Sequence, residues 1–367
     1  MMRSTLAIYV AGILFLTTTV HSPAQRGIRI GERTTGGAPL FEGFADRERD
    51  TSGIRIVFYN LENLYDPHND SLTNDEEFTP EGAKHWNYTR YITKLQYLGK
   101  TLLAAGGWEP AEIIGVCEVE NRNVLLKLIY DTPLSAGGYR IIHHESPDPR
   151  GVDVALLYRP ARVIPLFERV IPVIFAPDTI AHTRDILYAK LLVIGNDTIH
   201  VFVNHWPSRF GGYMQTVEKR AQAAVTLKRT VDSILRSDPL ANIVIMGDLN
   251  DDPGDESISG ILLEGDGKQE AGLVNLMTAK TISGYTGTLK HGETWHTFDQ
   301  FIVSTSLVKG LSHLCLDPAQ PLIFHAPFLL TDDPGRFGNK LNRTYLGPRY
   351  LGGFSDHLPI YLDINVR

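Results

Sequence analysis

Cysteine is scarce in this chain: two in 367 residues, Cys117 and Cys315, too few for a disulfide framework. One bridge between them stays open, but both lie in apolar surroundings and read better as small core residues. Basic charge is not in excess either. Thirty-five Lys and Arg against 42 Asp and Glu leave a formal net charge of −7, so no global positive field announces nucleic acid. A groove of basic residues interleaved with aromatics, as tight nucleic-acid binders use, is also missing. Long apolar runs are confined to one place, residues 6–20, with Arg3 before it and Ser22, Pro23 and Ala24 after it. The run is short for a membrane span, and small residues stand at the expected cleavage positions. This predicts a signal peptide over residues 1–24, with an uncleaved anchor as the lesser alternative. No cysteine follows the run, which excludes a lipoprotein anchor. The mature chain is therefore expected to be secreted or periplasmic, monomeric and free of stable membrane insertion.

Residues 25–52 are rich in Gly, Arg and Thr without periodicity and predict a flexible lead-in. Residues 53–367 are long enough to bury a full core, and one large sandwich or two domains would both fit that length. The chain is organised around residues 242–253. Ile243, Val244, Ile245 and Met246 form an apolar run with β-branched bias, which predicts a strand buried on both faces. Gly247 ends it, and Asp248 and Asn250 follow on one side of the extended chain. Taken alone, such residues also make an ordinary turn. Other predicted strands end the same way. Residues 54–59 run into Asn60, residues 112–117 into Glu118, and residues 198–203 into Asn204 and His205. Helices are expected over 88–105, 124–129 and 217–235 from their apolar spacing.

In two more places the order is reversed. Asp299 runs into Gln300-Phe301-Ile302-Val303, and Asp356 and His357 precede residues 358–364. Strands running the opposite way would bring these groups to the same edge. Residues 139–158 predict a hairpin whose polar apex collects His143, His144, Arg150 and Asp153. Six unrelated turns carrying such groups make a poor explanation. One polar site at the rim of packed sheets accounts for all of them.

Phe58-Tyr59-Asn60, Ile114-Gly115-Val116-Cys117-Glu118, Arg150-Gly151-Val152-Asp153, Asn204-His205, Gly247-Asp248-Leu249-Asn250, Asp299 and Ser355-Asp356-His357 occur in this order. The set resembles the endonuclease/exonuclease/phosphatase superfamily, the family of pancreatic deoxyribonuclease and exonuclease III. The resemblance covers residues 53–367 as one domain and implies an α/β fold, a four-layer α/β sandwich of two packed mixed β-sheets flanked by helices. It implies a secreted metal-dependent phosphodiesterase, in the first instance an endonuclease. Alternatives are a phosphoesterase for lipid or small-molecule phosphates, and a binding protein that keeps the fold without catalysis. Cys117 departs from the pattern, since many relatives carry Gln before the metal-binding Glu.

By the same resemblance Glu118 is the main metal ligand, with Asn60 and Asp356 near or on the metal, and the oxygen donors suit Mg²⁺ or Mn²⁺. His357 is the histidine at the scissile phosphate, and Asp299 is the carboxylate that orients it. Asp248 activates or positions water, and Asn250 holds a phosphate oxygen. Asn204 and His205 contact the phosphate or protonate the leaving oxygen. Arg150 adds positive charge, Asp153 braces its loop, and His143 or His144 is a further phosphate contact. A serine or cysteine nucleophile motif is absent, which favours direct attack by water over a covalent intermediate.

Overall fold

The computed structural model describes residues 52–367 apart from 108, 177–181, 196, 265–271, 279–286, 317–321, 334 and 336–337. The predicted signal peptide, and all but the last residue of the predicted lead-in, lie outside the described residues.

The strands are β1 (Ile54–Leu64), β2 (Ile113–Val119), β3 (Arg140–His143), β4 (Asp153–Tyr158), β5 (Val163–Ile171), β6 (Ile186–Val193), β7 (Asp197–His205) and β8 (Asn242–Asp248). They continue as β9 (Leu273–Asn275), β10 (Leu289–His291), β11 (Thr294–His296), β12 (Asp299–Ser304), β13 (Leu314–Leu316) and β14 (Leu322–Ile323). Short pairs β15 (Leu330–Asp332) with β16 (Asn339–Leu341), and β17 (Tyr345–Leu346) with β18 (Arg349–Tyr350), precede β19 (Ile360–Val366). The helices are α1 (Tyr88–Ala105), α2 (Arg122–Tyr130), α3 (Tyr213–Ser237) and the short α4 (Thr305–Lys309).

One sheet runs β13-β19-β1-β2-β4-β3, with β14 also on β19, and the other runs β5-β6-β7-β8-β12-β9. Each is mixed. β1 lies parallel to β2 and β7 parallel to β8, while the remaining pairs are antiparallel. This is the expected α/β sandwich of two mixed sheets with helices.

The apolar run in β8 explains the layering. Val244 and Met246 join the large core shared with β1 and β2, whereas Ile243 and Ile245 pack with Ala223, Leu227 and Val231 of α3. Alternate residues of one strand thus serve both of its faces. The sheets approach closely at Gly115, where a Cβ would stand 2.5 Å from the Met246 Cε. On the first sheet, α1 buries Tyr91, Leu95, Leu98 and Leu102, the face that its spacing predicted. Asn87 caps α1 by accepting from the Arg90 N–H, and Asn121 caps α2 from the Asn123 and Val124 N–H groups. Cys117 and Cys315 are both free and buried, as small core residues.

Two strands run further than expected. β1 continues to Leu64 and β2 to Val119, because the two stay paired (Leu64 opposite Val119) across a register shift after Asn60. Glu118 therefore does not close its strand. It occupies an irregularity between Cys117 and Val119, with φ +58. Bulges of this kind turn a side chain out of the ladder. α3 also begins earlier and ends later than the apolar spacing indicated, at Tyr213 and Ser237.

Candidate active site

Parallel pairing puts the ends of β7 and β8 side by side, with Asn204 opposite Gly247 and His205 opposite Asp248. A Cβ on Gly247 would lie 2.4 Å from the Asn204 carbonyl oxygen, so only glycine lets the strands meet here. β12 enters antiparallel to β8 with Asp299 opposite Asp248, and β19 runs antiparallel to β1. Reversed strands thus bring the residues that precede them to the same edge.

Asp248 is the hub. Its Oδ2 accepts from Asn60 Nδ2 at 3.0 Å and lies 3.7 Å from His205 Nε2 and 3.8 Å from His357 Nε2. Its Oδ1 accepts from the Asn250 N–H at 3.0 Å. Glu118 Oε1 shares two of these neighbours, standing 3.3 Å from Asn60 Nδ2 and 3.7 Å from His205 Nε2. The Asn63 N–H donates to Glu118 Oε2 at 2.9 Å. His357 Nδ1 pairs with Asp299 Oδ2 at 2.7 Å, and Asp299 is fully buried. Glu62, Asn63, Glu118 and Asn250 all have positive φ, between 48 and 58. Such backbone costs about 1–3 kcal/mol per residue and gathers at functional sites.

The electrostatics separate the two histidines. Burial works against a charged His357, yet the Asp299 and Asp248 carboxylates hold its proton and raise it well above the ordinary range. Burial pushes His205 well below it, helped by the cations of Arg184, Arg150 and His357. One imidazole is charged and the other neutral within one cluster. Burial also drives the Asp248 carboxyl up to about 7; the His357 charge opposes that shift, and Asp299 and Glu118 add to it.

A divalent cation would find hard oxygen donors in Glu118 and Asp356, which fit Mg²⁺ or Mn²⁺. Ser355 Oγ donates to the Asn60 carbonyl oxygen at 2.8 Å, which brings the Asp356 segment against β1. Asp356 Oδ2 pairs with Arg343 Nη2 at 2.7 Å. Asn60 fits a ligand role less well. Its Oδ1 is taken by the Glu62 N–H at 2.9 Å, so the amide turns N–H rather than oxygen toward the carboxylates. Elsewhere, His143, Glu145 and Asp153 hold possible ligand atoms within 4.8 Å of one another. In that group Asp153 accepts from the Ser146 N–H and pairs with His143 Nε2 at 2.9 Å, a brace across the hairpin apex.

Other candidates part company with the cluster. Asn204 is fully buried; its amide donates to the Met246 carbonyl and accepts from the Trp206 indole, so the side chain braces the strand ends instead of facing a substrate. His144 lies 3.4 Å from Glu168 of β5, because successive residues past β3 face opposite ways and His143 takes the inward side. Asn250 donates its amide to the Trp206 carbonyl at 3.0 Å. Arg150 is half exposed beside Asp148, within the field of Glu118.

Several participants carried no readable signal. Arg184 reaches Asp148 at 2.8 Å and the Trp206 carbonyl at 2.7 Å, and Arg343 holds Asp356. Glu62 accepts from the Thr344 and Tyr345 N–H groups, tying the C-terminal loops to β1. Lys94 did leave a trace, since it interrupts the apolar face of α1; it is buried and donates to Thr344 Oγ1 at 2.6 Å.

Solved structures share this fold at low identity. A humanised D. rerio TDP2 carrying 14 mutations is 16% identical, with TM-score 0.52, covering 86% of this chain and 100% of that one. The human Nocturnin catalytic domain is 16% identical with TM-score 0.51, covering 86% and 95%. A Bacteroides thetaiotaomicron mannosyl-6-phosphatase is 13% identical with TM-score 0.53, covering 85% and 99%. No curated protein sequence matches the chain. The model of the Endonuclease/Exonuclease/phosphatase family matches residues 55–366, and this chain, a phosphoesterase by fold, belongs to that family.

Proposed function

We propose that this protein is a secreted phosphodiesterase dependent on Mg²⁺ or Mn²⁺, and that it acts as an endonuclease by direct attack of water. The observation that carries this reading is the convergence of Asp248, Glu118, Asn60, His205 and the Asp299–His357 pair at one sheet edge. A phosphodiester is anionic, so its hydrolysis needs charge neutralisation, an aligned water and an outlet for the leaving oxygen. A cation held by Glu118 and Asp356 would supply positive charge to the phosphoryl oxygens.

The side chains supply the rest. Water loses a proton to Asp248 as its oxygen bonds to phosphorus, and the bond from phosphorus to the leaving oxygen breaks with its electron pair. The leaving oxygen then takes a proton from solvent. The His357 imidazolium, fixed by Asp299, faces the charge that builds on the phosphoryl oxygens. His205 is held neutral by burial and serves as a hydrogen-bond donor to the phosphate, which weighs against its role as an acid.

Residues 1–24 support export, and N-terminal sequencing of secreted protein should begin at Gln25. Intact Met1 on the exported protein would refute that cleavage. For the activity, full-length chain expressed in an exporting host is incubated with circular DNA, RNA, sphingomyelin and phosphomonoesters at graded Mg²⁺. Internal nicking of circular DNA is expected, and Glu118→Gln should shift half-activation to higher Mg²⁺. Cleavage of phosphomonoesters alone, or unchanged Mg²⁺ dependence in the variant, would overturn the assignment.

A further inference from the structure

Beyond the reacting groups lies a ring without a structural task. Phe210 is 92% exposed, and Met214 nearby is 75% exposed. A solitary surface apolar residue needs no explanation, but this one stands on a segment hydrogen-bonded to the site. The segment leaving His205 is tied back to the site through Trp206 and Arg209. The Trp206 N–H donates to the Asp248 carbonyl at 2.9 Å, the Asn250 amide to the Trp206 carbonyl at 3.0 Å, and Arg209 Nε to the Asn250 carbonyl at 2.8 Å.

Arg209 also pairs with Asp251 at 3.0 Å and Asp255 at 2.6 Å, and its guanidinium lies over the rings of Tyr213 and Phe298. A turn is built directly on this anchor. The Gly212 N–H donates to the Arg209 carbonyl at 2.9 Å, and Gly211 has φ +87. Positive φ at that position is what a type II turn demands, and it puts Phe210 at the apex. The Phe210 N–H is itself held by Ser208 Oγ at 3.3 Å. The chain thus holds the Phe210 backbone on a turn tied through Arg209 to Asn250, five residues beyond His205, and leaves the ring in water.

We propose that Phe210 is a specificity residue, a platform on which a nucleobase of the substrate stacks beside the scissile phosphate. This rests on the phosphodiesterase reading of the same site. The surroundings favour an uncharged planar group over an anionic lipid surface. Asp251, Asp252 and Asp255 stand around Arg209, and Arg220 also holds Asp251, so among the described residues three carboxylates face two guanidinium groups. Stacking also suits a chain without a basic groove, because every base has an apolar face and the contact needs no charge.

The test compares thymidylyl-thymidine with its abasic analogue, the same phosphodiester joining two sugars without bases, using the full-length chain with Mg²⁺. Base–aromatic stacking of about 1–3 kcal/mol corresponds to a rise in KM of roughly 5- to 150-fold. Phe210→Ala should raise KM on thymidylyl-thymidine by that factor and leave kcat within about twofold. The abasic analogue should respond little, and Phe210→Trp should restore the low KM. Equal effects on both substrates, or none, would overturn the stacking role and leave the phosphodiesterase reading intact. Failure of the wild type on both substrates would defeat the two readings together. Loss of binding to phosphatidylcholine vesicles in Phe210→Ala, with hydrolysis of thymidylyl-thymidine unchanged, would assign the ring to lipid and refute the proposal.

Discussion

The strands of the first sheet carry buried or half-buried charge at both ends, and the two ends treat it in opposite ways. At the far end, Arg55 of β1 holds Asp363 of β19 with two bonds of 2.7 and 2.6 Å. Glu112, just before β2, accepts from the Arg55 N–H at 2.7 Å and lies 3.5 Å from Arg159 and 3.8 Å from Arg162. At the site end, Glu118 of β2 and the neighbouring Asp248, which β8 of the second sheet brings to it, have no Lys or Arg within 4 Å among the described residues, only imidazoles. The far end is neutralised and regular, whereas the site end crowds like charges on strained backbone. Opposed carboxylates cost stability, and a site accepts that cost because unpaired charge is what acts on a substrate.

The largest effects should appear where this contrast is broken at the site. Asp248→Asn removes the proposed proton acceptor and should lower kcat by about 10²–10⁴-fold. Stability should move the other way. The carboxyl is raised to about 7 in the folded state, so folding makes it harder to ionise, and the native carboxylate costs stability once pH exceeds the unfolded value. The variant should therefore melt higher than wild type at pH 8 and similarly at low pH. A lower melting temperature at pH 8 would show that Asp248 is structurally required.

Arg55→Ala is the counterpart at the far end. Leaving Asp363 without its bidentate partner should cost about 3 kcal/mol, as when a largely buried pair loses one member. Chemical denaturation reads this, and kcat of the protein that stays folded should remain within about twofold. A large fall in kcat at full folding would mean that the two ends are coupled.

A smaller effect is expected from Asp299→Asn. A hydrogen bond to a charged group is worth about 1.5–3 kcal/mol, so kcat/KM should fall roughly ten- to a hundredfold. His357→Ala should cost more, and the double variant little beyond it, if the hydrogen-bonded pair works as the unit proposed above. Fully multiplicative losses would separate the two residues.

The smallest effect concerns a histidine outside the site. Burial lowers His200 to about 4, and its ring meets the Tyr188 hydroxyl at 2.7 Å. Its neutral form thus supports the fold fully above the ordinary histidine value. Support is lost as pH falls from there toward 4, because the unfolded chain takes a proton that the folded chain refuses. His200→Gln should flatten the dependence of Tm between pH 7 and 4.5. Parallel curves for the variant and wild type would assign that dependence to other groups.

Much of the architecture was legible because the pattern that builds it is local. The run at Ile243–Met246, the polar residues after it and the 3.6-residue spacing of α1 are properties of short stretches, and each folded as its own sequence indicates. The meeting of Asp299 with Asp248 was legible too, since reversing a strand reverses which of its ends carries the polar group. Tertiary structure decided the rest. Whether Glu118 closes β2 or sits in an irregularity depends on pairing with β1 and β4 at once. His143 and His144 are adjacent and alike in sequence, and only the packing of the hairpin sends one to Asp153 and the other to Glu168. The charged state of His357 and the neutral state of His205 belong to no local pattern. They are sums of desolvation and fields from residues up to a hundred or more positions away, and those sums exist only once the chain is folded.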